Sequence, residues 1–120
     1  MENYESEARL FRTLMHPVRL ALLDLLRDGE ACVCHLEAAL GYRQAYISQQ
    51  LSVLREAGLV QDRREGLNIY YRVIEPRVFV VVDAAQTVAG QGRRGARRKA
   101  PRAEACPCPK CNAAAEKAAA

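Results

Sequence analysis

The sequence predicts a mainly α-helical domain that carries one β-hairpin and is followed by a basic tail. Three observations predict it. Apolar residues recur at helical spacing in four stretches before residue 59 and in a fifth after residue 75. Between them, β-branched and aromatic residues gather on either side of a polar Arg-Glu-Gly turn. From Gly90 onward the large apolar side chains vanish.

The first helix is expected over Glu7–Met15, where Ala8, Leu10, Phe11, Leu14 and Met15 share a face. His16-Pro17 interrupts it, and Pro17 suits the first turn of a second helix running through Val18, Leu20, Leu22, Leu23, Leu25 and Leu26. Asp28-Gly29 ends that run. A short third helix spans Val33–Leu40 and closes at Gly41. The fourth covers Gln44–Ala57, with Ile47, Leu51 and Leu54 on one face and Gly58 as its stop. The hairpin follows, from Leu59-Val60 through Arg63-Arg64-Glu65-Gly66 to Tyr70-Tyr71-Arg72-Val73. Its face is only partly apolar, so it is expected to lie on the surface. Glu75-Pro76 opens a last helix to about Ala89. That helix is apolar on more than one side, through Val78, Phe79, Val81, Val82, Ala85 and Val88, and so wants a partner; a second copy of the chain is the natural candidate.

Residues 1–89 therefore form one expected domain and residues 90–120 a flexible arm. Charge divides at the same place. Residues 1–89 carry 10 Lys+Arg against 12 Asp+Glu, and residues 90–120 carry 8 against 2. The basic excess belongs to the arm, which is either a solvated tail or a salt-sensitive grip on phosphate. No apolar run approaches the roughly 18 residues of a membrane span. The longest, Val78–Val82, stops at Asp83, and the acidic opening Met1-Glu2-Asn3-Tyr4-Glu5 does not resemble a secretory signal. A cytoplasmic protein without a membrane partner is expected. No Ser–His–Asp set, phosphate loop or zinc-water arrangement is present, so no enzyme is expected.

Two short helices, a tight turn, a longer helix and a charged hairpin describe a winged helix-turn-helix. In that arrangement the longer helix enters the major groove of double-stranded DNA and the hairpin lies against phosphates. The same shape also serves as a small scaffold with a polar face. Gln44, Ser48 and Gln49 are suited to base edges or phosphates, and Arg63 and Arg64 at the wing tip to phosphate or the minor groove.

Several motifs resemble the ArsR/SmtB metalloregulators in order and spacing: Cys32-Val33-Cys34-His35-Leu36, Ile47-Ser48-Gln49-Gln50-Leu51, Leu54-Arg55-Glu56-Ala57-Gly58-Leu59-Val60, the Arg63–Gly66 turn with Tyr70-Tyr71-Arg72, and His16-Pro17-Val18-Arg19. The resemblance covers roughly residues 7–89. It implies a homodimeric repressor, dimerised through its first and last helices, that leaves its operator DNA when an inducer binds. It departs at Gln50, where the family often has His, a difference that bears on which operator bases are read.

Five cysteines in a chain expected in a reducing compartment point to metal binding or redox sensing. Cys32 and Cys34 match the family's Cys-Val-Cys metal box, although His35 and Glu37 stand where some members have Asp and a third Cys. The arm offers Cys106, Cys108 and Cys111, and the 16 residues from Gly90 to Ala105 could span about 50 Å. Thiolates select As(III), Cd(II) or Pb(II), with Zn(II) and Hg(II) as further thiophilic ions. Cys34 is the first expected ligand. Cys32 is the next, because side chains two apart diverge once the backbone is helical. The arm either completes this pair, forms its own site or is inert. The family's other site, built from Asp and His on the last helix, is expected to be missing, since that helix offers Asp83 and no His. The alternative is a repressor of the same fold switched by disulfide or persulfide formation.

Overall fold

The computed structural model describes residues 2–90. The expected arm, with Cys106, Cys108 and Cys111, lies outside the described residues except for Gly90. The elements are α1 (Glu2–Leu14), α2 (Pro17–Leu25), β1 (Ala31–Cys32), α3 (Val33–Leu40), α4 (Gln44–Glu56), β2 (Val60–Glu65), β3 (Asn68–Val73) and α5 (Val78–Val88). This is a winged helix-turn-helix, with α3 and α4 as the helix pair and β2–β3 as the wing.

Helix α1 begins at Glu2, five residues before the expected start at Glu7. Its opening turns are polar and exposed, so they show no buried stripe, and an acidic residue such as Glu5 suits the positive end of a helix. Helix α2 starts where expected, with Pro17 in its first turn. The His16 Nδ1 accepts the Val18 N–H at 3.2 Å and caps it. Gly41 ends α3 at φ 74°, the left-handed conformation that glycine favours.

The core lies where α2, α3 and α4 meet. Leu22 and Leu23, Leu36, and Ile47, Leu51 and Leu54 are fully buried there, joined by Leu59, Val60 and Tyr71 from the wing and by Val78 and Val82 from α5. The Arg27 guanidinium anchors α5. It is bidentate to Asp83 at 2.8 and 3.1 Å and lies 4.4 Å over the Phe79 ring. Asp83, weighed above as half of a metal site, is thus engaged in holding α5 to the end of α2.

Two expectations about the hairpin change. It is not a two-stranded surface ribbon: β1 pairs with the free edge of β3, giving a three-stranded antiparallel sheet in the order β1-β3-β2. A two-residue strand leaves no periodic signal, and β1 forms only because β3 offers an edge. As the central strand, β3 is covered on both faces, and the neighbouring Tyr70 and Tyr71 are both buried. Tyr71 faces the main core. Tyr70 lies on the other face with its register partners Cys32 and Arg63.

Gln50 is the buried polar residue of α4, 6% exposed. Its Oε1 accepts the Arg19 Nε–H at 2.9 Å, while the Arg19 Nη1 donates to the Thr13 carbonyl at 3.2 Å. The departure from the family's His therefore falls on an inward position. Gln50→Ala leaves the Nε–H of the half-buried Arg19 without its acceptor, and we expect it to cost about 1–3 kcal/mol in a urea melt while the operator preference stays unchanged.

Candidate DNA interface and thiol pair

Helix α4 presents its polar side outward. Gln44 and Gln49 are exposed and Ser48 is half-buried, opposite the buried Ile47, Leu51 and Leu54. This is the division that a helix lying in a groove needs. Tyr42, in the α3–α4 turn, packs against Tyr46 with ring centroids 5.0 Å apart, and the Tyr46 hydroxyl lies 3.5 Å from His16 Nε2. The foot of α4 is thereby braced against the start of α2. At its other end, Arg55 pairs with Asp62 of β2 at 3.6 Å.

The two wing arginines are placed differently from one another. The tip of the wing is Gly66-Leu67, with Gly66 at φ 60° and Leu67 wholly exposed. Arg63 does not stand at that tip. It lies 4.7 Å over the Tyr70 ring, reaches Glu30 through two N–H groups at 2.7 and 3.2 Å, and pairs with Glu65 at 2.8 Å. These carboxylates raise the pKa of a guanidinium that is already permanently charged. Sequence position placed Arg63 near the turn but gave no sign of Glu30, 33 residues away. Arg64, on the opposite face with Ile69, is exposed and makes no ion pair among the described residues.

Cys32 and Cys34 are brought together. Cys32 is the N-cap of α3 with φ −78° and ψ 155°, an extended conformation. The divergence expected of a helical pair does not arise, the Cα atoms are 5.3 Å apart, and the sulfurs are joined as a disulfide. Cys32 is buried and Cys34 half-buried. The Cys32 Sγ accepts the His35 N–H at 3.2 Å, which caps the start of α3. Burial lowers the His35 pKa below its ordinary value, which keeps the imidazole neutral near pH 7. Among the described residues, no His, Asp, Glu or further Cys joins the two sulfurs in a three-donor cluster. An open cleft of about 80 Å³ is lined by Cys32, Val33, Cys34, Gln44, Leu67, Asn68 and Ile69. It touches the foot of the reading helix on one side and the tip of the wing on the other.

A family model described as bacterial regulatory protein, arsR family, matches residues 16–62. Over 89 residues the chain is 46% identical to the biofilm growth-associated repressor of Agrobacterium fabrum, covering 73% of this chain and 76% of that one. The chain belongs to the arsR family. It is also 50% identical over 76 residues to the arsenic resistance transcriptional regulator ArsR1 of Pseudomonas putida, covering 62% of this chain and 59% of that relative. Among solved structures, a homodimeric winged helix-turn-helix DNA-binding domain from Mycobacterium bovis superposes with a TM-score of 0.66 at 34% identity, covering 76% of this chain and 84% of that one. This arsR-family chain is a DNA-binding transcriptional regulator rather than an enzyme. No helix among its described residues is long and apolar enough to cross a membrane.

Proposed function

We propose that this arsR-family protein is a cytoplasmic homodimeric repressor that releases its operator when As(III), Cd(II) or Pb(II) binds its cysteine thiolates. The observation that carries this reading is the Cys32–Cys34 pair, held side by side in a cleft between α4 and the wing. Two sulfurs are fewer than the three or four donors that thiophilic ions take. Cys106, Cys108 and Cys111 are the remaining thiols of the chain and are proposed to complete the set. The Pseudomonas relative is an arsenic resistance regulator, which supports a metalloid inducer.

In the DNA-bound state, Gln44, Ser48 and Gln49 read base edges or phosphates and Arg64 holds the backbone. Filling the cleft moves Gln44 and the wing tip relative to each other, so the two DNA-contacting elements no longer fit one half-site. Linkage requires DNA and inducer to weaken each other by the same factor.

The dimer seam is proposed along α1 and α5. Tyr4, Phe11, Val80 and Val88 are exposed there and Met15 just past the end of α1, five large apolar side chains without cover in one protomer. The homodimeric Mycobacterium bovis domain supports a dimer. Phe11→Glu combined with Val80→Glu is expected to give a monomer by analytical ultracentrifugation, with operator binding lost. A variant that stays dimeric places the seam elsewhere.

The test of the inducer is an anaerobic titration of the reduced full-length protein with each ion, following sulfur-to-metal charge-transfer absorption and operator anisotropy together. Operator affinity unchanged at saturating As(III), Cd(II) and Pb(II) defeats the proposal. The same titration on Cys106→Ser, Cys108→Ser, Cys111→Ser protein shows whether the arm takes part, through weaker binding and a shifted absorption band.

A second reading is favoured by the disulfide itself: oxidation of Cys32 and Cys34 as the signal. Two thiols lose two protons and two electrons to a peroxide, which becomes water and its alcohol or a second water. Release of DNA by peroxide in metal-free buffer, reversed by dithiothreitol, would select this reading.

A further inference from the structure

Five arginines sit on or beside the DNA-reading elements, and they divide into two kinds. Arg55 is paired with Asp62, Arg63 is held by Glu30, Glu65 and the Tyr70 ring, and Arg72 on β3 donates to the Gln61 Oε1 at 2.9 Å. Arg43 and Arg64 are exposed, and neither makes an ion pair or side-chain hydrogen bond among the described residues. Arg43 directly precedes Gln44, the α4 residue that lines the cleft. As N-cap it has no side-chain acceptor to offer the helix, and it makes no capping bond. An unpaired guanidinium is free to bind a phosphate, whereas one bidentate to a carboxylate must first give up a charge-assisted pair.

We propose that Arg43 grips a backbone phosphate of the operator, and that Arg63 does not. Arg63 is a positioning residue that clasps the wing to the loop before the thiol pair. Three features support the clasp. Arg63, Tyr70 and Cys32 occupy one rung across β2, β3 and β1. Glu30 stands two residues before Cys32. Tyr70 and Cys32 are buried outside the main core, with Arg63 over the Tyr70 ring. The clasp thus ties the wing to the same short segment that carries the sensing thiols. The proposal rests on the DNA reading by α4 and the wing, and it does not depend on which inducer acts.

The experiment is the salt dependence of operator binding by reduced full-length protein without inducer, measured for Arg43→Ala, Arg64→Ala, Arg63→Ala, Arg63→Lys and Glu30→Gln. Removing one phosphate contact lowers the slope of log K against log salt by about 0.9. Arg43→Ala and Arg64→Ala are expected to lose that much per half-site. Arg63→Ala is expected to keep the wild-type slope. Hydrogen exchange of the β2–β3 amides is read in parallel. It should quicken alike in Arg63→Ala, Arg63→Lys and Glu30→Gln, because lysine keeps the charge but lacks the planar fork, and the Arg63→Ala, Glu30→Gln double variant should go no further. An unchanged slope in Arg43→Ala overturns the phosphate assignment. A reduced slope in Arg63→Ala that Arg63→Lys restores, or wing exchange untouched by Glu30→Gln, overturns the clasp. Operator binding that persists when ions are added would defeat the inducer proposal and leave these slopes as they are.

Discussion

Cys34→Ser is expected to leave operator binding essentially intact and to abolish release by As(III), Cd(II) or Pb(II). Allosteric effectors typically change affinity by about 5- to 150-fold, and the whole of that change should disappear. Cys34 is half-buried and faces the cleft, so serine fits without disturbing the core. Cys32→Ser should behave in the same way for a second reason. The Cys32 sulfur accepts the His35 N–H as the cap of α3, and a serine hydroxyl accepts that bond at least as well. Both substitutions therefore remove a thiol while keeping the helix start. The measurement is operator anisotropy against ion concentration under anaerobic reducing conditions. Full release from either serine variant would take the sensing function away from this pair.

The second large effect concerns the fold. Leu51 is fully buried at the centre of α4, against side chains of α2 and α3. Leu51→Ala is expected to cost about 2–5 kcal/mol through lost burial and the cavity left behind. That is a large share of the roughly 5–15 kcal/mol that holds a domain together. For a domain of this size it corresponds to a Tm lower by about 10 °C or more. Leu67→Ala is the control: this leucine at the wing tip is wholly exposed, and its removal should leave the Tm where it was. The melts must be run at one protein concentration, because dimer formation adds to apparent stability. A Leu51→Ala protein melting with the wild type would mean that the helices repack around the gap.

Much of this was legible in the chain. The leucines of α2 and the Ile47, Leu51 and Leu54 stripe of α4 repeat often enough to mark both helices, and glycine and proline mark the ends of several elements. What could not be read was set by partners distant in sequence. Strand β1 exists because β3 passes beside it. Arg63 looks like a free cation until the chain brings Glu30 to it. Gln50 reads as one more polar residue of a DNA-facing helix, yet it points at Arg19. The thiol pair was legible as a motif, while its closeness depended on one backbone conformation at Cys32, extended where a helix would have parted the sulfurs.

The Gln50–Arg19–Thr13 relay also has a mechanical consequence. One guanidinium bridges the middle of α4 and the carbonyl end of α1, the helix proposed to lie along the dimer seam. In such a dimer the two copies of α4 act as the points of a pair of calipers, and the relay stiffens each arm near its pivot. Half-sites on one face of the duplex lie about 34 Å apart. A protein with stiff arms accepts a narrow range of operator spacings, whatever bases its points touch. Softening the relay should widen that range before it alters which bases are preferred.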